Sequence, residues 1–306
     1  MPDVSRSSAE HARPSLRQWA ARAPAPTPSV AHRAIWRRQP QLLVAVFVLA
    51  SIVLAGVLAP WVSACDPTTV SLSDVLSPPS DAHWFGTDQI GRDVFARTVY
   101  GARVSLFVAL ATVLLAGATG GVLGLAAGYL GGPVDTVVMR LADIQLAFPA
   151  VILAMVVAGA VGVTLPNLIA LLALAHWARF ARVLRGETLT LRQRDYVLLA
   201  RLSGVSRFAI VARHIAPSVA GVFIVLATLD IGSVIVLEST LSFLGLGIQP
   251  PLASWGAMIA DGRGVIDTAW WILLAPGVAI AATVLAANRL GDALRERLLP
   301  GSRAAW

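Results

Sequence analysis

The sequence predicts an all-α membrane protein of six transmembrane helices with both termini in the cytoplasm. Three observations carry this reading. Of the 306 residues, 57% are hydrophobic and only 13% charged, with a mean hydropathy of +0.73; soluble domains carry about 25% charged residues. Six apolar runs, at 41–61, 103–130, 137–161, 165–184, 215–237 and 269–288, are long enough to cross a hydrocarbon core about 30 Å thick. The arginines gather in regions that six spans place on one side, as cytoplasmic loops require.

Taken in order, residues 1–34 hold "APAPTPS" and scattered Arg and Ser, the composition of a disordered tail. Arg6, Arg13, Arg17, Arg22, Arg33, Arg37 and Arg38 precede the first span and put this tail in the cytoplasm. "VSAC", ending at Cys65, imitates a lipoprotein cleavage box. An n-region of about forty residues and an apolar run longer than an h-region argue against cleavage. The domain proper covers 35–300, and 301–306 form a short tail. Loops 62–102 and 238–268 are acid-rich and fall outside the cytoplasm, with Asp66, Asp74, Asp81, Asp88 and Asp93 in one and Glu238, Asp261 and Asp267 in or beside the other.

Within 86–99, Asp88 is a candidate helix cap ahead of an apolar stripe of Ile90, Val94 and Phe95, and Asp93 is spaced to pair with Arg97. The second span carries Gly117, Gly120, Gly121, Gly124 and Gly128; small residues at this spacing let helix backbones approach closely, within the chain or at a subunit interface. "GVTLPN" (162–167) is a tight turn between the third and fourth spans. Arg140 and Asp143, three apart, are spaced to pair at the membrane surface.

Between the fourth and fifth spans lies "RQRDYVLLARLSGVSRFAIVARHIAPS" (192–218). Gly204 suits a left-handed helix end, Ser206 an N-cap, and Pro217 the first turn of the fifth span. Two short helices with a bend result. They form either a bracket that docks another protein or an interfacial helix whose arginines face lipid headgroups.

Charge inside a span is costly and marks candidate function. Asp230 lies in mid-span, lining a path or bonded to a neighbouring helix. Glu238, at the end of the fifth span, is placed to accept the backbone N–H groups of "STLSF". All 24 basic residues are arginine, so neither a Walker A lysine nor a lysine Schiff base is possible. One cysteine allows no multi-cysteine zinc site. The five histidines are scattered, with His176 and Trp177 near the end of the fourth span, and neither HExxH nor GxSxG occurs. An intramembrane hydrolase would need a deep carboxylate pair or Ser/His set, and a secondary transporter inverted repeats or broken helices; the residues show neither pattern.

The loop resembles the EAA loop of ABC importer permeases, with Ala200, Gly204 and Pro217 at matching positions and Leu198 where the family has glutamate. "RDYVLLARLSG…RHIAPS" is similar to the peptide-permease form of that loop. "HWFGTDQIGRDVFARTVYGARVSL" (83–106), "GGPVDTVVMRLADIQLAFPAVIL" (131–153), "LESTLSFLGLGIQPPLASWGAMI" (237–259) and "NRLGDALRERLLP" (288–300) resemble segments of the C-type subunits of dipeptide and oligopeptide importers. The resemblance implies a type I importer permease fold with a cytoplasmic coupling helix, in a bacterial cytoplasmic membrane. It implies peptide transport, with nickel or glutathione as the alternatives, no enzymatic activity, and no cofactor bound by this chain. The partners it implies are a B-type permease subunit, two ATPase subunits that carry ATP-Mg, an extracytoplasmic peptide-binding protein and lipid, without nucleic acid. Coupling would rest on Tyr196, Ala200, Arg201, Gly204, His214 and Pro217, and a translocation path on Asp230 and Glu238.

Overall fold

A computed structural model describes residues 40–63 and 65–299; the tails expected at 1–34 and 301–306 lie outside the described residues. Helix α1 (Pro40–Val57) is largely apolar and buries only Leu42, Ala45 and Gly56 within the chain. A short α2 (Ala59–Val62) follows. Among the described residues five helices are long and apolar enough to cross a membrane, and a bent pair, taken as one span, makes six, the number of apolar runs in the sequence.

Helix α3 (Val94–Leu130) has 37 residues, about 55 Å at 1.5 Å per residue. It starts at Asp93, whose side chain accepts from Ala96 N at 2.6 Å. Asp93 is therefore the cap, and Asp88 instead organises the turn before it. Asp88 accepts from the backbone N of Ile90 and of Arg92, both at 3.0 Å, and pairs with Arg92 and Arg97. Arg97 also reaches Asp261 at 3.0 Å, while Asp93 meets His83 at 2.9 Å. The expected Asp93–Arg97 pair does not form, because both residues have partners outside their own helix.

Burial opposes ionisation of Asp88, but the two backbone donors and the guanidinium groups of Arg97 and Arg92 outweigh it and hold its carboxyl below the ordinary aspartate range. A depressed carboxyl stabilises the fold fully above its unfolded value, about 3.9, and loses that contribution as pH falls through the folded value. Protease resistance of the 63–93 loop is accordingly expected to hold from neutrality to about pH 4 and to fail in stronger acid. In an Asp88→Asn chain the resistance is expected to be lower and flat across the acid range; an unchanged acid profile would count against the hub.

Glycines seat α3 on helix α6 (Leu165–Arg192). A Cβ at Gly124 would stand 2.5 Å from the carbonyl oxygen of Ala181, one at Gly128 2.6 Å from Thr188 Cβ, and one at Gly120 would collide with the carbonyl of Trp177. Contacts advance in the same direction on both helices, so α3 and α6 run parallel, as the second and fourth of six alternating spans must. The small-residue stripe is thus an intrachain interface. Arg192 closes it by donating to the carbonyls of Gly128 and Tyr129 at 3.3 and 3.1 Å, which satisfies the open end of α3.

The third apolar run is not one straight span. It divides into α4 (Gly132–Ala147) and α5 (Ala150–Val161), bent by 95°. Pro149 supplies no N–H and pushes Phe148 to an extended conformation (φ −95°, ψ 138°), which ends the first helix.

After α6 come α7 (Asp195–Leu202) and a one-turn α8 (Arg207–Ile210). A π turn over Val211–Ile215 then leads into α9 (Ala216–Phe243). Residues 207–243 run as one span, so the second half of the expected two-helix bracket is the first turn of the fifth span. The π turn sits where Pro217 withdraws the donor that a regular helix needs, and Ser218 Oγ donates to the His214 carbonyl at 2.7 Å.

Helices α10 (Trp255–Gly262) and α11 (Trp271–Leu298) are the last among the described residues. Trp255 locks α10 to α3: its backbone N donates to Ser105 Oγ at 3.1 Å, and its indole Nε1 to the Thr98 carbonyl at 2.9 Å. The main core joins α3, α5, α6 and α9 through residues such as Val113, Leu172, Phe180, Ile235 and Leu241.

Candidate functional site

The bracket is held from beneath by a small core of Leu184, Val197, Ile210, Ile215 and Val219, with Ala200 packed beside it. Helix α7 buries Val197 and turns Leu198, Leu199 and Leu202 outward. Gly204 follows with φ +80° and nothing within 4 Å of a Cβ placed there, so its left-handed backbone ends the helix without steric demand from this chain. Ser206 caps the next turn by accepting from Ala209 N at 3.3 Å. Leu202 and Phe208 flank the glycine at 84% and 83% exposure. Tyr196 and His214 come together with ring centroids 6.4 Å apart, which ties α7 to the π turn. Arg201 is exposed and forms no ion pair among the described residues.

The structure therefore brings Tyr196, Ala200, Gly204, His214 and Pro217 into one bracket. Its apolar outer face of Leu199, Leu202 and Phe208 was missed by the motif, although spacings of three and six residues marked it.

The two buried carboxylates belong to different places. Asp230, 0% exposed, bonds to His176 Nδ1 at 2.9 Å and to Arg179 at 3.2 Å. Its basic partners come from α6, so it is bonded to a neighbouring helix and presents no surface of its own. Glu238, eight residues on, accepts the hydroxyl protons of Ser242 at 2.8 Å and Ser254 at 3.1 Å. These hydroxyls replace the backbone N–H partners expected for it, because residues 239–243 are helical and spend their N–H groups within α9. Ser254 also caps α10, so Glu238 anchors that helix.

Asp230 is one rung of a ladder. Along α6 the stretch "HWARFARVLR" places His176, Arg179, Arg182 and Arg185 at three-residue steps. Arg182 pairs with Asp143 and Arg185 makes a two-pronged contact with Asp135. The expected Arg140–Asp143 pair is replaced by Asp143–Arg182. Both members of that pair are half-exposed, so it contributes at most about 1 kcal/mol. The forked Arg185–Asp135 contact is the stronger tie.

His176 lines an open cleft of about 430 Å³ among α5, α6, α9 and α11. Among the described residues no group of three His, Cys, Asp or Glu side chains is placed to hold a metal.

Residues 120–303 match the family model described as binding-protein-dependent transport system inner membrane component. The probable D,D-dipeptide transport system permease protein of Escherichia coli K12 is 39% identical over 268 residues, covering 87% of this chain and 90% of that protein. The nickel transport system permease protein of the same strain is 41% identical over 256 residues, 84% of this chain and 92% of that one. The dipeptide transport system permease protein of Bacillus subtilis 168 is 38% identical over 272 residues, 88% and 85%. With six apolar helical spans, an exposed bracket between two of them and this match, the chain belongs to the family of inner-membrane components of binding-protein-dependent transport systems, the permease subunits of ABC importers.

Proposed function

We propose that this subunit passes dipeptides and short oligopeptides across the inner membrane, driven through the α7 bracket by partner ATPases. The observation that carries the coupling role is the outer face of the bracket. Leu199, Leu202 and Phe208 stand 62–84% exposed around a left-handed glycine that no atom of this chain crowds. Apolar surface of that kind belongs against a partner. Tyr196, Ala200, Arg201, Gly204, His214 and Pro217 carry the coupling. Placing the bracket, with the arginine-rich regions, on the cytoplasmic side makes both termini cytoplasmic. ATP-Mg is held by two ATPase subunits, a homologous permease subunit closes the path, and an extracytoplasmic binding protein delivers substrate. This chain supplies no catalytic group of its own.

The peptide substrate is supported by relatives from Escherichia coli, Bacillus and Brucella that are described as peptide or dipeptide permeases. Nickel is the second reading, on the strength of the 41% identical nickel permease. Uptake of labelled tripeptide and of nickel separates them, measured in cells lacking this chain and again with it restored. Return of tripeptide uptake alone is the expected result; return of nickel uptake alone would move the substrate to the metal.

A further inference from the structure

The ladder leaves one nitrogen without a function. Asp230, when ionised, only accepts hydrogen bonds, so His176 Nδ1 must carry the proton between them. Arg179 already balances the Asp230 charge, and a neutral imidazole leaves the trio without net charge inside the membrane, where an unbalanced charge is costly. His176 Nε2 is then a bare acceptor, and it is buried with no hydrogen-bond partner in the chain.

That imidazole lines the cleft together with Ser233, Thr240 and Asn288 on otherwise apolar walls. Among the described residues neither the Ser233 hydroxyl nor the Asn288 amide has a hydrogen-bond partner. Gly232 lets α9 approach α11 closely at the cleft wall, since a Cβ there would press on Val284 at 3.3 Å and face Asn288 Oδ1 at 3.6 Å. His176 is eleven residues from the start of α6 (165 to 176) and Ala150 eleven from the end of α5 (161 to 150). At 1.5 Å per residue both lie about 16 Å along their helices from the 162–164 turn.

We propose that this cleft is an intramembrane subsite for peptide backbone: the Asn288 amide and the Ser233 hydroxyl take a substrate carbonyl, and His176 Nε2, enclosed in the resting chain, accepts a neighbouring N–H when the cleft walls part around the guest. Apolar walls with a few orphaned polar groups suit a small peptide of varied side chains, because only groups common to all peptides are bonded. The subsite rests on the peptide reading above.

The test is peptide uptake by the complete transporter in cells, reading maximal rate, half-saturating concentration and membrane abundance of the subunit. His176→Phe is expected to lower the maximal rate about tenfold, the equivalent of one hydrogen bond, at unchanged abundance. The half-saturating concentration should hold, since the delivering protein sets it. His176→Gln, whose amide oxygen accepts, should restore the rate to within about threefold. Asn288→Leu, which breaks no bond within the chain, should cost a similar factor to His176→Phe and decides the matter if His176→Phe lowers abundance. Wild-type rates in His176→Phe or in Asn288→Leu would overturn the subsite, as would a glutamine variant no better than phenylalanine at equal abundance. If the unaltered chain restores no peptide uptake, the peptide reading has failed and the subsite with it; loss of the subsite alone leaves that uptake intact.

Discussion

A Gly120→Leu or Gly124→Leu chain is expected to vanish from the membrane fraction. The α3–α6 contact has no room for a first side-chain carbon. At Gly124 a Cβ would meet the Ala181 carbonyl oxygen at 2.5 Å and its Cα at 3.0 Å, and at Gly120 it collides with the Trp177 carbonyl. These neighbours are backbone, so no rotamer change relieves the clash and the two helices must separate. Overpacking of a close-packed interface costs about 3 kcal/mol. Separation would also strip the Arg192 cap and misalign the ladder on the same helix. The measurement is abundance of the subunit in membranes, with thermal aggregation in detergent as a second readout. Gly159→Ala is the control, since nothing lies within 4 Å of that position. Normal abundance of either leucine variant would show that α3 and α6 do not pack through their glycines.

Gly204→Asp should give the opposite pattern, with normal abundance and uptake reduced to background. Within this chain the substitution is mild: space is open around the position, and placing an L-residue in left-handed backbone costs about 1 kcal/mol. The loss arises outside the chain. A carboxylate set among Leu202, Val205 and Phe208 would have to shed its water when that apolar face is covered, which costs several kcal/mol for an unpaired charge. Gly204→Ala bears only the backbone penalty and should retain partial uptake. ATP-driven uptake at the wild-type rate from an assembled Gly204→Asp complex would remove the bracket from the coupling role.

The six runs, the glycine stripe, the Gly204 stop and the Ser206 cap were all legible, because each is a local property of composition or backbone, whereas Pro217 lies past a π turn inside a span that begins at Arg207. What escaped the sequence was decided at a distance. A hydropathy window passes smoothly over Phe148-Pro149, since residues on both sides are apolar, and so conceals the 95° bend. Arg97 and Asp143 have charged neighbours at helical spacing, yet their partners are Asp88 and Asp261 for the first and Arg182 for the second. Spacing ranks only neighbours within one helix and is blind to a carboxylate that folding brings in from elsewhere. The choice between a path and a neighbouring helix stayed open for Asp230 for the same reason, since its partners His176 and Arg179 lie more than fifty residues away. The three-residue rhythm of "HWARFARVLR" was the available sign that α6 would meet acids along one face.

The continuity of α6 has a mechanical corollary. It runs unbroken from the 162–164 turn to Arg192, with α7 beginning three residues later. His176 therefore sits sixteen residues up a single rod whose foot adjoins the bracket, about 24 Å away. A tilt of about 5° at the foot displaces the imidazole by about 2 Å, more than a hydrogen bond tolerates. A guest held at Nε2 would resist that tilt, and a partner that imposes it would expel the guest. By reciprocity of linked equilibria the two effects would be equal in free energy, so under the coupling and subsite proposals this helix would act as a balance beam, weighing cargo at one end against the partner's force at the other.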